Sequence, residues 1–263
     1  MSITKKTIVN LYTASGNQCA FEGCNEILKM PNDEHKAEAA HIRGKKKGSA
    51  RYNLDMSDEE RDNLSNLIVL CGTHHIEIDK NKSKYSVNDL IEMKKKHEIQ
   101  VITKYDKQHP NDLEKILSII TNSDFKNYKE TKTVNSFTIE NKIKSNNVKK
   151  YRYILDKYKI YQTKLQTLYS ELENEKAYRQ EIFLNNVELF YLQAKGELLP
   201  EKATKKDIQQ NADALIDRVL ELLEERIQNK QLTKEAIFHG LRIILVDAFM
   251  RCKILEEPKS YDN

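Results

Sequence analysis

Apolar positions recur at helical spacing over most of this chain and at strand spacing over very little of it. Ile154, Tyr158, Tyr161, Leu165, Leu168 and Leu172 step by four, three, four, three and four, a heptad seam that faces another helix. A further helix is expected from Tyr178 to Lys195, punctuated by Gly196 and Pro200. Thr204 and Asp207 then cap a long helix carrying Ile208, Ala212, Leu215, Ile216, Val219, Leu222 and Leu223. Thr233 caps the last helix, whose Ile237, Leu241, Ile244, Leu245, Ala248 and Phe249 are core types.

The first hundred residues follow a different pattern. Thr4 to Tyr12 reads as a short amphipathic helix, ended by Ser15-Gly16-Asn17. Ala39 to Ile42 and Asn66 to Leu70 are short apolar segments of strand type, and Asn32 to His35 reads as a turn between hairpin strands. Ser57 with Glu60 marks a helix start before Asn66, and Ser86 with Asp89 marks another, with Leu90, Ile91, Met93 and His97 at helical spacing. From Lys104 to Val134 the pattern loosens into a charged linker with one short helix near Asp112 to Thr121. The chain is therefore expected to hold an α+β N-terminal domain over 1–103, a linker over 104–134 and an all-α domain of long helices over 135–263.

Composition changes this picture in two respects. Lys and Arg number 44 against 40 Asp and Glu in 263 residues, so the protein is not basic as a whole. Its basic charge is local: Arg43, Lys45, Lys46, Lys47 and Arg51 crowd one loop, where they would contact phosphates without reading sequence. A solvated loop is the plainer alternative. No apolar run approaches the ~20 residues of a membrane span, and the start is not that of a secretory signal, so a cytoplasmic protein is expected.

The cysteines point to a metal. Cys19 and Cys24 form Cys-x4-Cys around a tight turn at Gly23, and Cys71 and His74 form Cys-x2-His. Two short loops bringing four soft or borderline donors together is a common way to hold structural zinc. Buried free thiols packing as small hydrophobes are the alternative. Cys252, in an apolar helical run, reads as a core residue, and His239 on the last helix as a packed or exposed histidine instead of a catalytic one.

Inside this frame His41, Asn66 and His75 occur in an order that resembles the HNH endonuclease family, the ββα-metal nucleases. Asp58-Glu59-Glu60-Arg61 before the asparagine and Thr73-His74-His75 followed by Ile78-Asp79 resemble one bacterial subgroup, over Asn17 to Glu98. The resemblance implies a β-hairpin and helix around one divalent ion, magnesium or manganese. It assigns His41 as the general base, Asn66 as the residue that fixes the loop and orients the base, and His75 as a ligand of the catalytic ion. Histidine suits the first role because its pKa lies near neutral. Many members carry a ligand just before the base, where this chain has Ala40. Asp79, one helical turn after His75, or Glu38 would replace it. That departure keeps open a zinc-stabilised adaptor that binds DNA without cutting, and a stand-alone restriction-type enzyme is a further alternative.

The helical half carries its own resemblance. Lys142 to Val148, the Tyr-Lys-Ile-Tyr helix after it and the ending Phe249 to Pro258 are similar to the C-terminal domain of effectors in bacterial ABC three-component defence systems, including Lamassu-like ones. This implies an anti-phage effector whose helical domain docks on an SMC-like or ABC ATPase complex that restrains it. The heptad seam is then the expected surface for such a partner, or for self-assembly into an oligomer.

Overall fold

Side-chain caps open half of the described α-helices. Thr4 accepts from the amide of Thr7 to start α1 (Lys5–Ser15), and Gly16, at φ 62, closes it in the left-handed region that glycine adopts without strain. The structure, a computed structural model, describes residues 3–28, 39–122, 138–175, 179–227 and 232–258. The expected turn at Asn32 to His35 and the candidate ligand Glu38 lie outside these residues. The described chain forms two units, Met1–His109 and Pro110–Asn263.

In the first unit β1 (Ala39–His41) and β2 (Leu67–Val69) pair antiparallel, with His41 opposite Leu67. Between them lie the one-turn helix α2 (Asp58–Arg61) and a 3₁₀ turn at Leu64–Asn66. Ser57 and Glu60 cap α2 reciprocally, as the sequence pattern predicts. α3 (Gly72–Lys80) follows β2, and α4 (Val87–Gln108) starts at the Ser86 and Asp89 capping box. α4 runs past Lys104, because nothing breaks it before Pro110. The core is built from Leu11, Tyr12, Ile42, Leu67, Ile68, Leu70, Ile78 and Leu90, all buried.

The described residues of the second unit form helices joined by turns, with no strand among them. α5 (Asp112–Thr121) is not an isolated linker helix: Leu113, Ile116, Leu117 and Ile120 are buried against α9 (Arg179–Leu198) and α12 (Lys234–Met250). Its charged surroundings hide an amphipathic helix that belongs to this core. α6 (Ile139–Ser145) and α7 (Arg152–Tyr158) precede a 3₁₀ turn at Lys159–Tyr161, and α8 (Gln162–Glu175) follows it. The helix expected after Thr204 is two, α10 (Lys205–Gln210) and α11 (Ala212–Arg226), broken at Asn211. α12 is buried along nearly all its length, and two of its buried polar residues are paired: His239 Nδ1 lies 2.9 Å from Tyr158 Oη, and Asp247 accepts from Tyr169 at 2.7 Å and Arg251 at 2.9 Å. Cys252 is not helical but sits in the turn beyond α12, at φ 56.

The heptad seam is interrupted by the 3₁₀ turn, and every one of its members is buried inside this unit, Leu165 completely. Its apolar face is therefore consumed by the unit's own helices and is not left for a partner or a second copy. Placing a charge there is expected to melt the unit, since an unpaired buried charge has no compensation. Leu165→Glu should lose most of the helical circular dichroism contributed by Pro110–Asn263; a melting curve like that of wild type would contradict the packing described.

Candidate metal centre and nuclease site

The cysteine loop is formed by local turns and tied to β2. Cys24 N donates to Phe21 O at 3.0 Å across the turn that Gly23 makes at φ 79, Cys19 N donates to Glu26 O at 3.1 Å, and Ala20 N donates to Val69 O at 2.9 Å. The strand that leads to Cys71 thus carries the loop that bears Cys19 and Cys24. Cys71 stands at the N-terminus of α3, where the helix dipole favours a thiolate, and His74 follows one turn later. Phe21 stacks on the His74 imidazole, with centroids 3.9 Å apart and planes 9° from parallel, which fixes the direction of the ring.

The donor atoms of Cys19, Cys24, Cys71 and His74 all lie within 4.8 Å of one another. His74 Nδ1 is 3.0 Å from Cys71 Sγ and 3.7 Å from Cys19 Sγ. A zinc ion with bonds of ~2.3 Å to sulfur and ~2.1 Å to nitrogen separates its tetrahedral ligands by roughly 3.5–3.8 Å, so the set is compatible with zinc. Burial pushes the Cys71 thiol up to about 12 and raises that of Cys19. Such thiols ionise near neutral pH only against a cation, which a zinc ion held by the four donors would supply.

His41 ends β1 beside the second constellation. Asn66, 3 % exposed, spends its whole amide on main chain: Oδ1 accepts from Arg43 N, and Nδ2 donates to Arg43 O and Arg61 O, each at 2.9 Å. Ile42 N donates to Asn66 O at 2.8 Å. The chain immediately after His41 is thereby clamped. Arg61, also buried, donates to the carbonyls of Asn53 at 2.8 Å and Met56 at 2.7 Å and stacks on Tyr52, holding the loop from Gly44 to Met56. Gly44 closes that loop through Ala50 O at 2.9 Å, and a Cβ on it would lie 2.6 Å from the same carbonyl. Gly44→Ala is expected to cost about 1–3 kcal/mol, because backbone must move to relieve the overlap. Denaturant unfolding of the full chain measures this.

His41 Nε2 lies 3.1 Å from Asp62 Oδ1, a partner the sequence reading missed. Lys45 Nζ meets both oxygens of Asp62, at 2.8 and 2.6 Å. Burial raises the Asp62 carboxyl, yet the hydrogen bonds and charges of Lys45 and His41 outweigh it and hold the group below the usual carboxylate range. Lys45 is thus engaged within the unit. Arg51 is too: its side chain, 6 % exposed, donates to Ile42 O at 2.8 Å, Ile78 O at 3.1 Å and Asp79 Oδ1 at 2.5 Å. Of the basic loop, Lys46 and Lys47 are exposed and Arg43 half-buried, and among the described residues none of these three has an ion-pair partner.

His75, half exposed on α3, stands 3.5 Å from Asp79 Oδ2, the oxygen that Arg51 leaves free. Among the described residues no third histidine, cysteine or carboxylate joins this pair into a cluster. Two protein ligands suit magnesium, which keeps waters and takes substrate phosphate oxygens. Ala40 is 3 % exposed within the apolar core and offers no ligand. No hydrogen bond or ion pair joins His41 to His75.

Asp62 carried a weak signal in the sequence, a carboxylate four residues before Asn66; only the fold brings it to His41 and Lys45. Phe21 and Arg61 are of the same kind.

A hairpin bearing a histidine, a clamping asparagine and a Cys3His set beside a helix agrees with comparison to known families, where the HNH endonuclease family matches residues 19–82. Residues 111–256, more than half of the chain, match the C-terminal domain 10 of the ABC-three component (ABC-3C) systems, and the chain belongs to that family. It joins an HNH endonuclease domain to an ABC-3C C-terminal domain. No curated protein and no solved structure matches it. Among the described residues no helix is long and apolar enough to cross a membrane.

Proposed function

We propose that this chain is the nuclease effector of a bacterial anti-phage ABC-three component system, a metal-dependent endonuclease that hydrolyses DNA phosphodiester bonds in the cytoplasm. The observation that carries the reading is His41 at the end of a hairpin that Asn66 clamps, within a segment matching HNH endonucleases. His41 takes the proton from the attacking water, and Asn66 holds the loop that keeps the ring in place. Magnesium or manganese held by His75 and Asp79 would neutralise charge on the phosphoryl and leaving oxygens. Cys19, Cys24, Cys71 and His74 would hold a zinc ion that braces the fold and, with four protein donors, takes no part in the chemistry. Arg43, Lys46 and Lys47 contact DNA phosphates.

The helical unit attaches the nuclease to the other components, an SMC-like or ABC-type ATPase of the Lamassu kind, which restrain it until invading DNA is sensed. Its self-assembly on release belongs to the same reading. Its attachment surface is not the Ile154 to Leu172 seam, which is buried.

Supercoiled plasmid incubated with the full chain and magnesium or manganese, alone and with its partner ATPase, tests the proposal. Metal-dependent nicking or linearisation supports it. Binding without cleavage in every assembled state would instead make the chain a DNA-binding adaptor, and cleavage at one fixed sequence a restriction-type enzyme.

A further inference from the structure

We propose that Asp62 is a positioning residue of the nuclease site, holding His41 through its Nε2–H so that Nδ1 is the nitrogen that accepts the proton of water. The inference rests on His41 being the general base. An ionised carboxylate can only accept hydrogen bonds, so at 3.1 Å from Asp62 Oδ1 the neutral imidazole carries its hydrogen on Nε2. The ring is thereby set in one tautomer, with its lone pair on Nδ1, and among the described residues none hydrogen-bonds that nitrogen.

The pair is built from both sides. Asn66 Nδ2 grips Arg61 O, the carbonyl just before Asp62, and the same amide grips the backbone of Arg43, two residues after His41. One buried side chain therefore fixes the two backbones that carry base and carboxylate. Lys45 fixes the carboxylate itself by meeting both oxygens, and the side chains of His41 and Asp62 are 18 % and 11 % exposed. An exposed ion pair between mobile side chains would orient nothing. Here each group has one available direction.

In the reaction the water oxygen bonds to phosphorus as one water proton passes to Nδ1, and the bond from phosphorus to the leaving oxygen breaks. The leaving oxygen takes a proton from solvent. His41 becomes imidazolium with hydrogens on both nitrogens, and Asp62 stabilises the positive charge that has formed. Solvent then removes the Nδ1 proton and restores the starting tautomer.

Asp62→Asn in the full chain is the central test. Asparagine keeps the shape and can still meet Lys45, but its amide faces the ring with either end and no longer selects a tautomer. The expected result is a fall in kcat of about 10²–10⁴-fold with KM, zinc content and melting temperature as in wild type. Two-bond proton–nitrogen correlation spectra of ¹⁵N-labelled protein should show His41 as the Nε2–H tautomer in wild type and a mixture in Asp62→Asn. Cleavage by the variant within about threefold of wild type would overturn the proposal, as would an Nδ1–H tautomer in wild type. Loss of activity accompanied by loss of zinc or of the folded state would also overturn it, leaving Asp62 a structural partner of Lys45. If wild type cleaves no DNA in any assembled state, the nuclease reading fails, and the His41 tautomer decides the assignment of Asp62.

Discussion

Replacing His41 by alanine is expected to lower the initial rate of plasmid cleavage by about 10²–10⁴-fold, the contribution of a positioned general base. The fold should survive, because the change leaves no buried charge unpaired: Asp62 keeps Lys45 on both carboxylate oxygens. The Asn66 clamp is also untouched, since it acts through the backbones of Arg43 and Arg61 and not through the imidazole. Binding of plasmid should change little, the half-buried ring being a small part of any surface offered to phosphates. Initial rates with magnesium and with manganese, measured beside zinc content and a melting curve, separate chemistry from stability. Wild-type rates in a folded His41→Ala protein would place the base on another residue.

Cys24→Ser is expected to release zinc and unfold the unit Met1–His109. Cys24 is the most accessible cysteine of the set, half-buried where Cys19 and Cys71 are fully buried. Serine is close to it in size, so in a metal-free loop the exchange would be worth no more than about 0.5 kcal/mol, as at ordinary surface positions. If the loop holds structural zinc the same exchange removes a ligand, and the free energy of metal binding, about 10–16 kcal/mol in isolated zinc fingers, is also free energy of folding. The contrast between these magnitudes makes the variant informative. Metal analysis and proteolysis of the purified full chain read the outcome: zinc should be lost and the first unit digested. Less than about half an equivalent of zinc in folded wild type would overturn the assignment.

The outcome for each element follows from how local its determinants are. The reciprocal caps at Ser57 with Glu60, Ser86 with Asp89 and Thr204 with Asp207 were readable because each hydrogen bond closes within three residues. The Cys3His set was readable because metal donors come in a few spacings, and the structure gathers all four. His41 on a strand and His75 on a helix were readable from apolar patterning and the motif order. Periodicity, in contrast, says that a face is covered but not by what. The seam from Ile154 to Leu172 announced a partner that proved to be the same unit. α5 was placed at Asp112 to Thr121 but assigned to the linker, for the complementary reason: four buried aliphatic residues in ten do not show which core they join until α9 and α12 lie against them.

What the sequence by itself determined, then, is the kind of fold, several helix starts, the four candidate metal donors and the motif residues His41, Asn66 and His75. What only the tertiary structure decided is their pairing. Asp62 and Lys45 converge on one another across a loop, Arg51 turns inward to carbonyls and Asp79, and Phe21 sets the plane of His74. A basic loop read along the chain is a row of equal cations. Folded, it divides into charges committed to neighbouring carboxylates and charges left to solvent, because a cation's role is set by the nearest acceptor in space, which residue spacing does not specify.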